Sequence, residues 1–138
     1  MRPVEEICDV LRESGMKITP QRRMIFEILQ HSDGHPTAEE IHDTARETMP
    51  DMSLATVYHT LNDLVRMGEL VELDLGEGKS RYDPTTDGHY HLVCLGCRQV
   101  VDIPRRANPP QILPVESRGY EIERCDVMFY GYCPDCQE

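Results

Sequence analysis

The stretch Ser53-Leu-Ala-Thr-Val-Tyr-His-Thr-Leu-Asn-Asp-Leu-Val-Arg-Met-Gly68, followed at once by Glu69-Leu-Val-Glu-Leu-Asp-Leu75, decides the fold. Val57, Leu61, Leu64 and Val65 recur at the spacing of one helical face, Ser53 can cap the start, and Gly68 can end it. Beyond Gly68 the period changes to two: Val71, Leu73 and Leu75 alternate against Glu72 and Asp74, which predicts a strand. Gly76-Glu-Gly-Lys79 makes a turn, and Ser80-Arg-Tyr-Asp83 returns as the second strand of a hairpin. Helices that run into such a hairpin form a winged helix.

Upstream, the helix punctuation repeats. Pro3 suits a first helical position, Val4, Ile7, Val10 and Leu11 follow, and Gly15 is a stop. Thr19-Pro20 opens a second helix bearing Met24, Ile25, Ile28 and Leu29. Thr37-Ala-Glu-Glu40 matches a capping box, in which a threonine hydroxyl and the glutamate three residues on satisfy each other's exposed amides. A third helix over Ala38 to Thr48 should follow. Pro50 and Asp51 then separate it from the fourth, and two short helices around a tight turn are what a helix-turn-helix requires.

Downstream, Pro84-Thr-Thr-Asp-Gly88 is a hinge candidate. Beyond it, His89 to Leu95, Gln99 to Ile103, Tyr120 to Arg124 and Asp126 to Tyr132 read as strands, with a connection around Pro109 to Ser117. The predicted organisation is α+β: a winged helix-turn-helix domain over 1–83, a hinge over 84–88, and a small dimerisation and metal-binding domain over 89–138.

The loudest chemical signal is Cys94-Leu-Gly-Cys97 and, with thirty-five residues between, Cys133-Pro-Asp-Cys136. Each C-x2-C turn can place two sulfurs on one side of a metal, and two turns close a tetrahedral zinc site. No apolar run resembles a signal peptide or a membrane span, so a cytoplasmic chain is expected, where paired cysteines favour zinc over disulfides. Cys8 and Cys125 fall outside the pattern and are expected to be small buried hydrophobes.

A second constellation is Asp83, His89-Tyr-His91 and Asp102. In a strand, positions two apart share a face, so His89 and His91 can converge on one ion. Nitrogen and carboxylate ligands together suit iron(II), manganese or zinc. The other reading of such an H-x-H pair is two ordinary polar residues. His35, just before the capped third helix, is a further candidate, since a ligand there and others beyond the hinge would let metal occupancy set the angle between the halves.

Charge pulls the other way. The chain carries a net charge of -11, and residues 1–75 hold seven Lys and Arg against fifteen Asp and Glu. DNA binding would therefore depend on a local basic face.

Lys17-Ile-Thr-Pro-Gln-Arg22, His35-Pro-Thr-Ala-Glu-Glu40, Ser53-Leu-Ala-Thr-Val-Tyr58, Ser80-Arg-Tyr-Asp83, His89-Tyr-His91, Cys94-x2-Cys97, Val100-Val-Asp102 and Cys133-x2-Cys136 occur in one order along nearly the whole chain. Together they resemble the ferric uptake regulator family. The set His35, Asp83, His89, His91 and Asp102 resembles the regulatory site of its peroxide-sensing branch. Iron-sensing members tend to carry glutamate where Asp102 stands. The resemblance implies a homodimeric, metal-dependent repressor, not an enzyme, holding structural zinc and a regulatory iron(II) or manganese(II). It also implies that peroxide oxidises His35 and His89 through the iron, releasing operator DNA.

Recognition would fall to the fourth helix, with Thr56, Tyr58 and His59 as base-contact candidates and Lys17 and Arg22 as backbone or minor-groove candidates. The family's usual helix in the segment 105–118 would be interrupted by Pro109, Pro110 and Pro114, while strand pairing through Tyr120 to Arg124 could still build a dimer. Alternatives are iron or manganese sensing without peroxide chemistry, a thiol switch at the four cysteines, and a metal-dependent hydrolase. The last would need a substrate pocket and a positioned base that the sequence does not supply.

Overall fold

The computed structural model describes all residues except 33, 76, 77, 85–88, 105–110, 123, 124 and 138. The chain separates into two compact units, Met1–Thr86 and Asp87–Glu138. Most of the hinge candidate, residues 85–88, lies outside the described residues.

The first unit contains α1 (Val4–Glu13), α2 (Pro20–Gln30), α3 (Ala38–Thr48), α4 (Leu54–Arg66) and the hairpin β1 (Val71–Asp74) and β2 (Ser80–Asp83). Each start has a local cause. Thr19, Thr37 and Ser53 accept hydrogen bonds from the third amide beyond them, and the Glu40 carboxylate in turn accepts from the Thr37 amide, completing the capping box. Pro3 lies just before α1 rather than inside it, because its ψ of 149° is extended.

Two helix ends are glycine stops of one type. Gly15 and Gly68 both take positive φ, 82° and 78°. In each case the next amide reaches back five residues, Met16 N to Leu11 O and Glu69 N to Leu64 O, both at 2.9 Å. A side chain at either position would be strained in that backbone. The apolar faces converge on one core built from Ile7, Leu11, Ile25, Phe26, Leu29, Ile41, Val57, Leu61 and Leu64, with Leu70 and Tyr82 from the hairpin side. Full burial of each such aliphatic side chain stabilises by about 1.5–3 kcal/mol, before the ordering entropy is subtracted.

β1 and β2 pair antiparallel with Val71 opposite Asp83 and Asp74 opposite Ser80. The segment before α3 is tied to this wing: the Tyr82 amide donates to Pro36 O at 2.9 Å, and Thr37 forms a bridge with Arg81. A loop residue at 35 is thereby fixed against a strand residue at 83.

The second unit is a three-stranded sheet, β3 (Tyr90–Cys94), β4 (Val100–Ile103) and β5 (Met128–Gly131), in the order β4-β3-β5. β3 pairs antiparallel with β4 and parallel with β5. Its one described helix is the single turn α5 (Pro114–Ser117), with Pro114 as the first helical residue; residues 105–110 lie outside the described residues. The expected strand over Tyr120 to Arg124 does not form over Tyr120–Ile122, and residues 123 and 124 are not described. Its entry explains why. Arg118 and Gly119 are both left-handed, at φ 51° and 82°, and the exposed Tyr120 and Ile122 meet no neighbouring strand among the described residues. The same local absence of sheet leaves Cys125 exposed, correcting the expectation that it is buried; Cys8, in α1, is fully buried as expected.

Candidate metal centres and DNA-reading helix

The cysteine pairs arise from parallel neighbours. Cys94 ends β3, and Cys133 lies two residues beyond β5, its register partner. The chain then turns at both places. Arg98 donates to Cys94 O and Cys136 to Cys133 O, each at 2.9 Å, with Arg98 at φ 65°. The four sulfurs lie within 4.8 Å of one another, and Cys97 Sγ is 3.9 Å from Cys133 Sγ. Metal–sulfur bonds of about 2.3 Å in a tetrahedron require sulfurs about 3.8 Å apart, so the set fits zinc. All four cysteines are free of disulfides.

The electrostatics of the cluster call for a cation. The amides of Cys133 (3.3 Å) and Cys97 (3.4 Å) donate to Cys94 Sγ and lower its pKa to about 6. Cys136 goes the other way, pushed up to about 12 by the adjoining sulfurs of Cys133 and Cys94. A site that favours one thiolate and opposes the next becomes stable as four thiolates only around a metal ion.

Sequence reasoning missed Gly96. A Cβ there would meet Cys136 Cβ and Sγ, both at 2.8 Å. A metal bound at the four sulfurs would fix Cys136, so neither atom could then yield. Gly96→Ala is expected to weaken zinc retention at least tenfold, read by competition with a chromogenic chelator; equal retention would mean that the turn can relax. The sequence signal was the glycine inside C-x2-C, which alone does not distinguish a flexible turn from a close approach.

Two His–Asp groupings lie apart from the cysteines, one in each unit. In the first unit, His35 Nε2 is 3.2 Å from Asp83 Oδ2. Asp83 ends β2 and is buried. Arg81, two residues earlier, donates from Nη1 to His35 O at 3.1 Å. That clasp, invisible in sequence, joins residues 46 positions apart. In the second unit the β3–β4 register sets His91 directly opposite Asp102. Asp102 Oδ1 is 3.2 Å from His89 Nε2 and 3.7 Å from His91 Nε2. The two imidazoles meet edge to face, 4.5 Å between centroids. Imidazoles beside a carboxylate form a donor set for iron(II), manganese(II) or zinc.

The DNA-contact candidates all belong to the first unit. Thr56, half-buried in the first turn of α4, places its Oγ1 2.8 Å from Ser53 Oγ, while Tyr58 and His59 are exposed. Thr56 and His59 border an open groove of about 330 Å³ with Thr19, Gln21 and Arg22. Lys17 is exposed. Arg22 is also engaged within the protein: its Nη2 pairs with Asp63 Oδ2, joining α2 to α4, and Arg66 pairs with the other oxygen of that carboxylate. Tyr58 donates its hydroxyl to Glu39 Oε1 on α3 at 3.1 Å.

A winged helix followed by a four-thiolate α+β unit, each part carrying histidine beside aspartate, is the build of a metal-dependent DNA-binding regulator. Residues 13–130 match the ferric uptake regulator family. The peroxide-responsive repressor PerR of Staphylococcus epidermidis is 36% identical over 140 residues, covering 98% of this chain and 91% of that protein. Among solved structures, the ferric uptake regulator of Helicobacter pylori superposes with a TM-score of 0.78 at 24% identity, covering 99% and 95% of the two chains. PerR from Streptococcus pyogenes, described for peroxide sensing and gene regulation, gives 0.57 at 32%, covering 99% and 95%. The chain belongs to the ferric uptake regulator family. It is a metal-dependent transcriptional regulator rather than an enzyme. No described helix is long and apolar enough to cross a membrane.

Proposed function

We propose that this chain is a peroxide-sensing repressor of the cytoplasm, binding operator DNA as a homodimer when iron(II) or manganese(II) is held by His35, Asp83, His89, His91 and Asp102. The observation that carries the reading is the carboxylate of Asp102, set by strand register against His91 and within reach of His89. Aspartate is the shorter acid, and 36% identity to a peroxide-responsive repressor over nearly the whole chain supports the peroxide reading.

In this reading the two groupings, one before and one after residues 84–88, share a single ion, so occupancy restrains one unit against the other. Five protein ligands would leave room at such an ion for a small oxidant. Iron(II), if held there, would catalyse the oxidation of the His35 or His89 imidazole by hydrogen peroxide, one peroxide oxygen entering the ring and the other leaving as water. The oxidised rings bind metal poorly, the restraint is lost, and DNA is released. Zinc at Cys94, Cys97, Cys133 and Cys136 keeps the second unit folded throughout. Thr56, Tyr58 and His59 face the bases, Lys17 the backbone, and Arg22 braces the helix that carries the readers. The exposed Tyr120 and Ile122 offer apolar surface for a second copy.

The test uses DNA duplexes selected from a random pool by the manganese-loaded protein. The iron(II) form, prepared without oxygen, is expected to lose these duplexes on adding stoichiometric peroxide. The peptides holding His35 and His89 should gain the mass of one oxygen, and the manganese form should keep both its DNA and its mass. Loss of binding without oxygen on either histidine would sink the mechanism, and undiminished binding by the iron form would leave plain metal sensing.

A further inference from the structure

The contact between Tyr58 and Glu39 has a function of its own within the proposed reading, on which this inference rests. Tyr58 is 37% exposed on the outer face of α4, where a tyrosine would swing freely unless held. Its hydroxyl is held by Glu39 Oε1 at 3.1 Å. Glu39 is a charged acceptor, its carboxyl kept below the usual range first by its own backbone amide and then by the Tyr58 hydroxyl. Its other oxygen, Oε2, is buried and has no hydrogen-bond partner among the described residues. Such an oxygen is costly to leave in place. Packing alone does not call for it, since α3 already has its capping box from Thr37 and Glu40.

Glu39 also lies four residues from His35, in the first turn of α3, and nothing slack separates them. Arg81 clasps His35 O, Tyr82 N clasps Pro36 O, and Thr37 is both bridged to Arg81 and the cap of α3. A displacement at the imidazole is therefore passed to the start of α3 instead of being absorbed by a loop. The hydroxyl of Tyr58 joins the start of α3 to the exposed face of the reading helix.

We infer that Glu39 is a positioning residue for DNA recognition: through its hydrogen bond to Tyr58 it aims the tyrosine ring, and it carries the metal state of His35 to the DNA-reading face. Holding the ring in advance removes ordering entropy that operator binding would otherwise have to overcome.

The test compares the full-length wild type with Tyr58→Phe, Glu39→Ala, the double variant and Glu39→Gln, on a duplex selected from a random pool by the manganese-loaded wild type. Three quantities are measured: affinity with and without manganese(II), manganese affinity of the DNA-free protein, and thermal midpoint. The manganese-driven gain in DNA affinity is expected to fall roughly three- to tenfold in either single variant, the size of one hydrogen bond. The double variant should lose no more than the singles, Glu39→Gln, which keeps an acceptor oxygen, should recover most of the gain, and manganese affinity should stay as in the wild type. Independent losses that add, a loss equal with and without metal, or no rescue by glutamine would overturn the inference while leaving the repressor reading standing. A loaded wild type that selects no duplex would overturn both.

Discussion

Replacing Cys136 by serine, or stripping zinc with a strong chelator, is expected to unfold the second unit while the helical unit stays folded. A structural four-cysteine zinc site contributes on the order of 10–16 kcal/mol, as much as or more than the about 5–15 kcal/mol by which whole domains are stable. The second unit has little else to rely on. Its described strands are four or five residues long, its one described helix is a single turn, and Leu92, Val101, Phe129, Tyr130 and Tyr132 are all exposed in this single chain. Among its described residues the fully buried apolar side chain is Val93, whereas the first unit has more than ten. Hydrogen exchange read peptide by peptide should show protection lost over β3, β4 and β5 and kept over α1 to α4. Retained protection in zinc-free protein would mean that the cysteines do not hold this unit together.

The second large effect is expected from Asp83→Asn. The substitution keeps size and shape at a buried position and can still hydrogen-bond to His35, so folding should change little. It removes the anionic donor from the His35 side of the proposed regulatory site. Loss of a group that merely supports a ligand costs about 10–100-fold in metal affinity, so loss of a ligand should cost at least about a hundredfold. Manganese titration would read the affinity, and binding to the selected duplex should lose its metal dependence. Near wild-type affinity with an intact fold would remove Asp83 from the site. The substitution leaves the cysteines untouched, so zinc content should not change and provides an internal control.

How much of this was legible in the sequence follows the range of the forces involved. Thr19, Thr37, Ser53, Gly15 and Gly68 act on amides a few residues away, and the helices they bound lie where the pattern predicts them. The hairpin and the C-x2-C turns are local in the same sense. The pairing of His91 with Asp102 needed only the strand alternation on each side of the cysteine turn. By contrast, the Arg81 clasp on His35 O, the Asp63 carboxylate that engages Arg22, and the Glu39–Tyr58 bond each join residues at least nineteen positions apart. No periodicity encodes them. The strand expected at Tyr120 failed for a related reason: alternation marks a segment fit to pair, but a strand also needs a neighbour, and within the described residues of this chain none is supplied.

The parallel pairing of β3 with β5 has a consequence for how this chain can vary. Parallel neighbours cannot be joined by a tight turn, so everything from β4 through α5 is one long excursion between them. Because the cysteines sit where β3 and β5 end, a bound ion knots that excursion at its mouth and sets the register whatever lies between. Each doubling of a flexible loop adds only about 0.6 kcal/mol to its closure. Residues could therefore be inserted, removed or reshaped in the connection between β4 and β5 to fit another partner, with the fold's accuracy entrusted to four sulfurs.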